Sequence, residues 1–236
     1  MSDSAADSGL SRRHLLGLGL GALASTLLPR GALAQLAPTH SADTPAQSLA
    51  LLKAGNARYV ANKPRHRDFS AGRASRTLGQ APHAAILSCA DSRVAPELLF
   101  DQAPGELFVV RVAGNFVTDA GLGSLEYGAQ VLGTRLILVL GHKHCGAVTA
   151  TLKSLRDGKP LPGHIEGLVE AMKPGIAPVL EHSGEGDNER AIVANVRHNM
   201  QRLQQSQPIL AQRVKDGTLA IAGGVYDLAS GRVEFL

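Results

Sequence analysis

Four short apolar runs constrain this chain more than anything else in it: AAIL at residues 84–87, LFVVRV at 107–112, RLILVL at 135–140 and LAIAGGV at 219–225. Each is too short for an ordinary helix and shows no strict alternation of polar and apolar positions, so each reads as a strand covered on both faces. Between them lie stretches with helical spacing, which predict helices over residues 120–132, 147–156, 164–172 and 189–206. Pro208 breaks the last of these from one more short helix. An amphipathic helix carrying Leu49, Leu52, Asn56, Tyr59 and Val60 precedes the first strand. Residues 231–236 follow a turn containing Ser230 and Gly231 and are expected to form a hairpin partner for the last strand. The pattern predicts an α/β fold: a central, mainly parallel β-sheet of four parallel strands plus an antiparallel C-terminal edge strand, flanked by helices.

The first 34 residues do not belong to that pattern. Arg12 and Arg13 precede an apolar, glycine-rich run to Leu28, and Ala32, Leu33 and Ala34 supply small residues for cleavage. This is the layout of a secretory signal, and the paired arginines resemble the twin-arginine type. The apolar run is about 14 residues, short of the roughly 20 that span a bilayer, so no stable membrane anchor is expected. The expectation is export from a bacterial cytoplasm through the twin-arginine machinery, cleavage near Ala34 and a periplasmic mature protein. A linker over residues 35–45 then leads into a single domain over 46–236. Of the formal charge of +4, three arginines and two aspartates fall in the first 34 residues, leaving 21 basic and 18 acidic side chains. That balance of +3 is small and scattered, and speaks against nucleic acid as a partner.

Chemistry is confined to the ends of strands. Cys89 follows the first strand within SCADSR, and the stretch GHKHCG at 141–146, holding His142, His144 and Cys145, follows the third. In parallel α/β sheets functional groups gather beyond the carboxyl ends of strands, so the two segments converge if these strands are neighbours. Two thiolates and one imidazole match a zinc site with three protein ligands and one open position. At the entry to a helix, residues three apart share a face, which selects His142 with Cys145 and turns His144 away. The competing readings are a disulfide between the two cysteines and two unrelated buried thiols. His83, His144, His164, His182 and His198 cannot be ranked as proton carriers from the sequence.

Together, CADSR at 89–93, PGE at 104–106 followed by FVVR at 108–111, AGN at 113–115 and GHKHC at 141–145 resemble the β-class carbonic anhydrases over nearly all of residues 46–236. One position departs from the pattern, Val112 standing where many members carry asparagine. The resemblance implies one Zn2+ per chain and reversible hydration of CO2 to bicarbonate and a proton by zinc-bound hydroxide. It also implies an Asp91–Arg93 dyad in which the guanidinium fork keeps the carboxylate off the metal. Gln80, Phe108, Ala113 and Tyr127 match the family's substrate-binding positions. Ile86 stands where the branch with a regulatory bicarbonate site has tryptophan, so the chain resembles the plant-like, open-site branch. Homodimers or homotetramers are implied, with the N-terminal helix packing on the partner. Alternatives on the same residues are a carbonyl sulfide or carbon disulfide hydrolase, a non-catalytic zinc-stabilised binding module, and a thiol-redox protein, for which the CxxC spacing is missing.

Overall fold

The computed structural model describes residues 40–182 and 184–236; the expected signal segment lies outside them. Helix α1, Pro45–Val60, begins where Thr44 and Gln47 form a reciprocal capping box and Pro45 occupies the first turn. Then come α2 (Arg73–Arg76), β1 (Ala84–Ser88), α3 (Pro96–Leu99), β2 (Leu107–Arg111), α4 (Asp119–Gln130), β3 (Leu136–His142) and α5 (Gly146–Asp157). Helix α6 (Ile165–Ile176), a 3-10 turn (Ala177–His182), α7 (Asp187–Gln204), α8 (Leu210–Lys215), β4 (Ala220–Tyr226) and β5 (Val233–Phe235) complete the order.

The five strands form one sheet in the order β2-β1-β3-β4-β5, parallel except for the antiparallel β4–β5 pair. This is the expected α/β architecture. β1 and β3 are buried along their whole length, which accounts for their unbroken apolar sequence. One face packs Ala85, Leu87, Ile137 and Val139 against Leu125, Val148, Leu152, Met172 and Val196, brought by α4 to α7. The other packs Ile86, Leu138 and Leu140 against Leu52 of α1 and Leu99 and Phe100 at α3. β2 is the open edge, and Phe108, Val109 and Val110 on it are only half-buried.

Several sequence expectations need correction. Helices α2 and α3 have four residues each, too few to display a period. The helix expected to end at residue 172 runs on through Pro174 to Ile176, because Gly175 and Ile176 bury against α7, where a Cβ on Gly175 would meet His198 Cβ at 2.9 Å. Helix α1 buries Ser48, Leu52, Gly55 and Asn56 against its own chain. Ser48 Oγ donates to the His83 carbonyl at 2.8 Å, and Asn56 Nδ2 donates to the carbonyls of Leu99 at 3.1 Å and Gly231 at 2.9 Å. Gly55 is the point of closest approach, since a Cβ there would stand 1.7 Å from the Phe100 carbonyl oxygen.

Asp101 ties the segment after α1 to the sheet. Its buried carboxylate accepts from Arg58 Nε at 2.5 Å, from Arg67 Nη1 at 3.0 Å and from the Arg65 backbone N–H. Burial alone would raise this carboxyl; the Arg58 hydrogen bond, the Arg65 amide and the Arg67 charge outweigh it and hold it below the ordinary carboxylate range. A depressed folded pKa contributes stability above about pH 4, and that stability is lost as pH falls through the folded value. Asp101→Asn tolerates the left-handed backbone (φ 47°) while removing the charge, so it isolates the electrostatic part. The expected cost at neutral pH is about 2 kcal/mol, the scale of a hydrogen bond to a charged group. Thermal melts of the two proteins should differ at neutral pH and converge in acid; equal melts at neutral pH would rule out the contribution.

Candidate metal centre

The segments that follow β1, β2 and β3 meet at one edge of the sheet. β1 lies between the other two, with Ser88 opposite Arg111 on one side and Leu140 on the other. Cys89 is the first residue past β1, His142 is the last residue of β3, and Cys145 is the N-cap of α5. His142 and Cys145 therefore meet across a strand-to-helix turn, not along one helical face as the spacing suggested. His144 makes that turn in the left-handed region (φ 56°), which leaves its side chain exposed and its carbonyl facing Arg93 Nη2 at 3.3 Å.

One donor atom from each of Cys89, His142 and Cys145 lies within 4.8 Å of the others, and all three residues are buried. The two sulfurs stand 4.0 Å apart and both cysteines are free thiols, so the disulfide reading does not describe this structure. A tetrahedral zinc ion with bonds of about 2.3 Å to sulfur would hold two sulfurs about 3.8 Å apart, close to what is seen. His142 Nδ1 donates to the Lys143 carbonyl at 2.9 Å, which fixes the tautomer and leaves Nε2 as a lone-pair donor. That Nε2 is buried without a hydrogen-bond partner. A lone pair of this kind, next to two thiols, is the vacancy in the hydrogen-bonding pattern that a soft dication fills.

The sulfurs are not equivalent. Cys89 is pushed down to about 4, first by the hydrogen bond from Cys145, then by His142 and the N–H groups of Gly114 and Asp91, against burial. Cys145 is pushed up by the same contact with Cys89 and by burial. Both shifts arise first from the contact between the two sulfurs.

Asp91 lies beside this cluster, its Oδ2 3.8 Å from His142 Nε2. Arg93 Nε donates to Oδ1 at 2.9 Å and Nη2 to Oδ2 at 2.7 Å, with the Arg93 amide adding a third bond to Oδ1 at 2.9 Å. This fork holds the Asp91 carboxyl well below the ordinary carboxylate range. The pairing expected from the sequence is therefore present as a bidentate ion pair.

The four residues expected at the substrate are distributed differently. Ala113 adjoins the cluster, since the next residue, Gly114, donates its amide to Cys89 Sγ at 3.3 Å. Phe108 and Tyr127 pair with ring centroids 6.3 Å apart, but on β2 and α4 toward the amino ends of the strands, with Tyr127 47% exposed. Gln80 precedes β1 and is exposed, so the length of that strand, about 16 Å at about 3.3 Å per residue, separates it from Cys89.

Two motif residues that the sequence reading gave no part in the site also shape it. Arg111 Nε donates to the Cys89 carbonyl at 3.0 Å and Nη2 to the Asp91 carbonyl at 2.7 Å, clamping the backbone of the CADSR loop. A basic residue closing an otherwise apolar strand was the available clue. Val112, the departure from the family pattern, bonds to the β1 segment through its backbone, its amide donating to Ser88 and its carbonyl accepting from Ala90, while its side chain packs on the core.

Comparison with known proteins agrees with this geometry. Residues 84–233 match the family model described as carbonic anhydrase. The carbonic anhydrase of Mycolicibacterium smegmatis is 44% identical over 184 residues, covering 78% of this chain and 89% of that protein. Among solved structures, the β-carbonic anhydrase CcaA is similar with a TM-score of 0.59 and 29% identity, over 68% of this chain and 85% of that one. A tetrameric β-carbonic anhydrase from Sordaria macrospora shares the fold, with a TM-score of 0.62 and 23% identity, over 68% and 83%. With the family matched over most of the described sheet and a buried Cys-His-Cys group at its carboxyl edge, the chain belongs to the β-class carbonic anhydrases, zinc enzymes that hydrate CO2 reversibly.

Proposed function

We propose that Cys89, His142 and Cys145 are the zinc ligands of this enzyme, and that Asp91, restrained by Arg93, acts on the reacting water while staying off the metal near neutral pH. The observation that carries this is the unpartnered Nε2 of His142 beside two thiols, with both oxygens of the adjacent carboxylate already taken by one guanidinium. When bound, zinc supplies a nucleophile by lowering the pKa of water from 15.7 to about 7. The chain's own contribution is orientation: the Asp91 carboxylate accepts a hydrogen bond and aims a lone pair at carbon, and Arg93 keeps the carboxylate in that role. Two anionic ligands lower the acidity of a dication, so this orientation matters more here than at an all-histidine site. A restrained Asp91, and Ile86 in place of tryptophan, support assignment to the plant-like, open-site branch.

Phe108, Ala113 and Tyr127 are proposed to line the path of CO2, with Gln80 donating an amide hydrogen bond to a substrate oxygen. The separation of Gln80 from Cys89 means that such contact needs the residue from another copy of the chain. The half-buried β2 edge, with Tyr127 and the 63% exposed Val131 on the neighbouring helix, supports a homodimer or homotetramer built partly on that edge. The paired arginines and apolar run within residues 1–34 support a twin-arginine signal, cleavage near Ala34 and a periplasmic domain over 46–236 behind a linker at 35–45.

The deciding experiment is stopped-flow CO2 hydration with bound zinc quantified in the same sample, at about pH 7 and again at about pH 8.5 to include a site closed by Asp91. One zinc per chain and fast hydration at the lower pH, abolished by zinc removal and restored by its return, is the expected result. Zinc binding without hydration at either pH would overturn the assignment of roles to Asp91 and Arg93. Hydration only at the higher pH would overturn the open-site branch.

A further inference from the structure

Helix α7 buries Ala191, Ile192, Val196 and Leu203 in the core, yet two positions on the same face are carboxamides. Asn195 is 0% exposed and Asn199 1%. Four residues apart, they stand one above the other on the helix. Burying two carboxamides among aliphatic side chains is unfavourable unless they are hydrogen-bonded, and they are. Asn195 Nδ2 donates to the Gly114 carbonyl at 2.8 Å. Asn199 Nδ2 donates to the Asn195 carbonyl at 2.8 Å and to Asn195 Oδ1 at 3.1 Å, which orients the first amide. Asn199 Oδ1 accepts from the Val117 amide at 2.8 Å, and Arg202, on the next turn, donates from Nη1 to the Val117 carbonyl at 2.7 Å.

These side chains grip both ends of the short loop at residues 114–117. The loop leaves β2 through two consecutive left-handed residues, Gly114 (φ 86°) and Asn115 (φ 43°), so no sheet ladder can hold it. Met172 presses on it from α6, where a Cβ on Gly114 would lie 2.3 Å from the sulfur. Gly114 is also the residue whose amide donates to Cys89 Sγ.

We propose that Asn195, oriented by Asn199, is a positioning residue of the zinc site: it fixes Gly114 so that the glycine amide stays aimed at the Cys89 sulfur. This rests on Cys89 being a zinc ligand. A backbone N–H directed at a ligating sulfur draws charge from it and holds the sulfur in place, the two ways in which groups behind a ligand govern metal retention. The coupling runs from Asn195 in a helix core, through Gly114 81 residues away in sequence, to a ligand that Asn195 itself does not touch.

The test uses the full chain with Asn195→Leu, nearly the same shape without the amide, and Leu203→Ala as a control that loosens the same helix without a polar link to the loop. Two properties of the metal are read: the rate of zinc loss to excess chelator, and the thiolate-to-metal absorption band of the cobalt(II)-substituted protein. Asn195→Leu should release zinc about 10 to 100 times faster and shift the band, whereas Leu203→Ala, at a similar fall in melting temperature, should change neither. Release and absorption unchanged in Asn195→Leu, or changed equally in Leu203→Ala, would overturn the proposal. If Asn195→Leu does not fold, Asn199→Asp keeps the acceptor for Val117, loses the donor to Asn195, and is judged by the same two readings. A parent chain that binds no metal would overturn the ligand assignment itself, which a parent that binds zinc leaves standing whatever Asn195→Leu does.

Discussion

Cys145→Ser should leave a folded chain that carries no zinc and hydrates CO2 no faster than buffer. Cys145 is 1% exposed at the N-cap of α5, and its side chain makes no capping hydrogen bond, so the helix start does not depend on the sulfur. Serine fills nearly the same volume, and its hydroxyl can cap the helix in place of the thiol. What it cannot supply is a soft anionic donor: the Cys89 and His142 atoms would face a neutral oxygen, and a two-ligand remainder does not retain the ion. Metal analysis, circular dichroism and stopped-flow hydration on the same preparation check the three parts of this expectation. A folded, zinc-free Cys145→Ser protein with parental hydration would remove this cluster from the reaction altogether.

Arg93→Ala should have the second largest effect while keeping the zinc. In the parent both carboxylate oxygens of Asp91 are engaged by the guanidinium at 2.9 Å and 2.7 Å. Without that fork the carboxylate, whose Oδ2 is only 3.8 Å from His142 Nε2, is within a side-chain rotation of the fourth metal position. It would then compete with water and no longer orient it. The expected loss of hydration near neutral pH is about 10²- to 10³-fold, the range seen when a preorganised polar group is removed from an active site. Arg93→Lys should recover only part of it, since an ammonium keeps the charge but not the bidentate geometry. A zinc-loaded crystal structure of Arg93→Ala should show the Asp91 carboxylate on the metal. Parental activity in Arg93→Ala would mean that the backbone amide of residue 93, which also donates to Asp91, suffices to restrain it.

The candidate centre was legible in the sequence to an unusual degree because its donors sit at the ends of strands. Cys89 follows an apolar run that can only be a buried strand, and GHKHC follows another, so chemistry and fold are written in the same short segments. His142 rather than His144 lies beside Cys145, but for a different reason from the one the spacing offered: a left-handed turn, not a helical face, brings His142 and Cys145 together. Gly114, Asn195 and Asn199 were invisible as a unit. Two asparagines four apart on an apolar helix face are a recognisable oddity, but nothing local says that their partner lies in the loop after β2.

What the sequence by itself determined is therefore the set of parts: four apolar strands, the longer helices after the second and third of them, two thiols and an imidazole placed where strands stop, and an arginine two residues after an aspartate. Those are set by side-chain period and chemistry over a few residues. Only the tertiary structure decided that β1 lies beside β3, so that sulfurs 56 residues apart come within 4.0 Å, and that Gln80 falls at the far end of the same strand from Cys89. It alone also decided which backbone groups Arg111 and Asn195 satisfy. The physical reason is that strand order and the pairing of buried polar groups are properties of the packed whole: each is fixed by the requirement that every buried surface be covered and every buried donor matched at once, and no short window of sequence contains both partners.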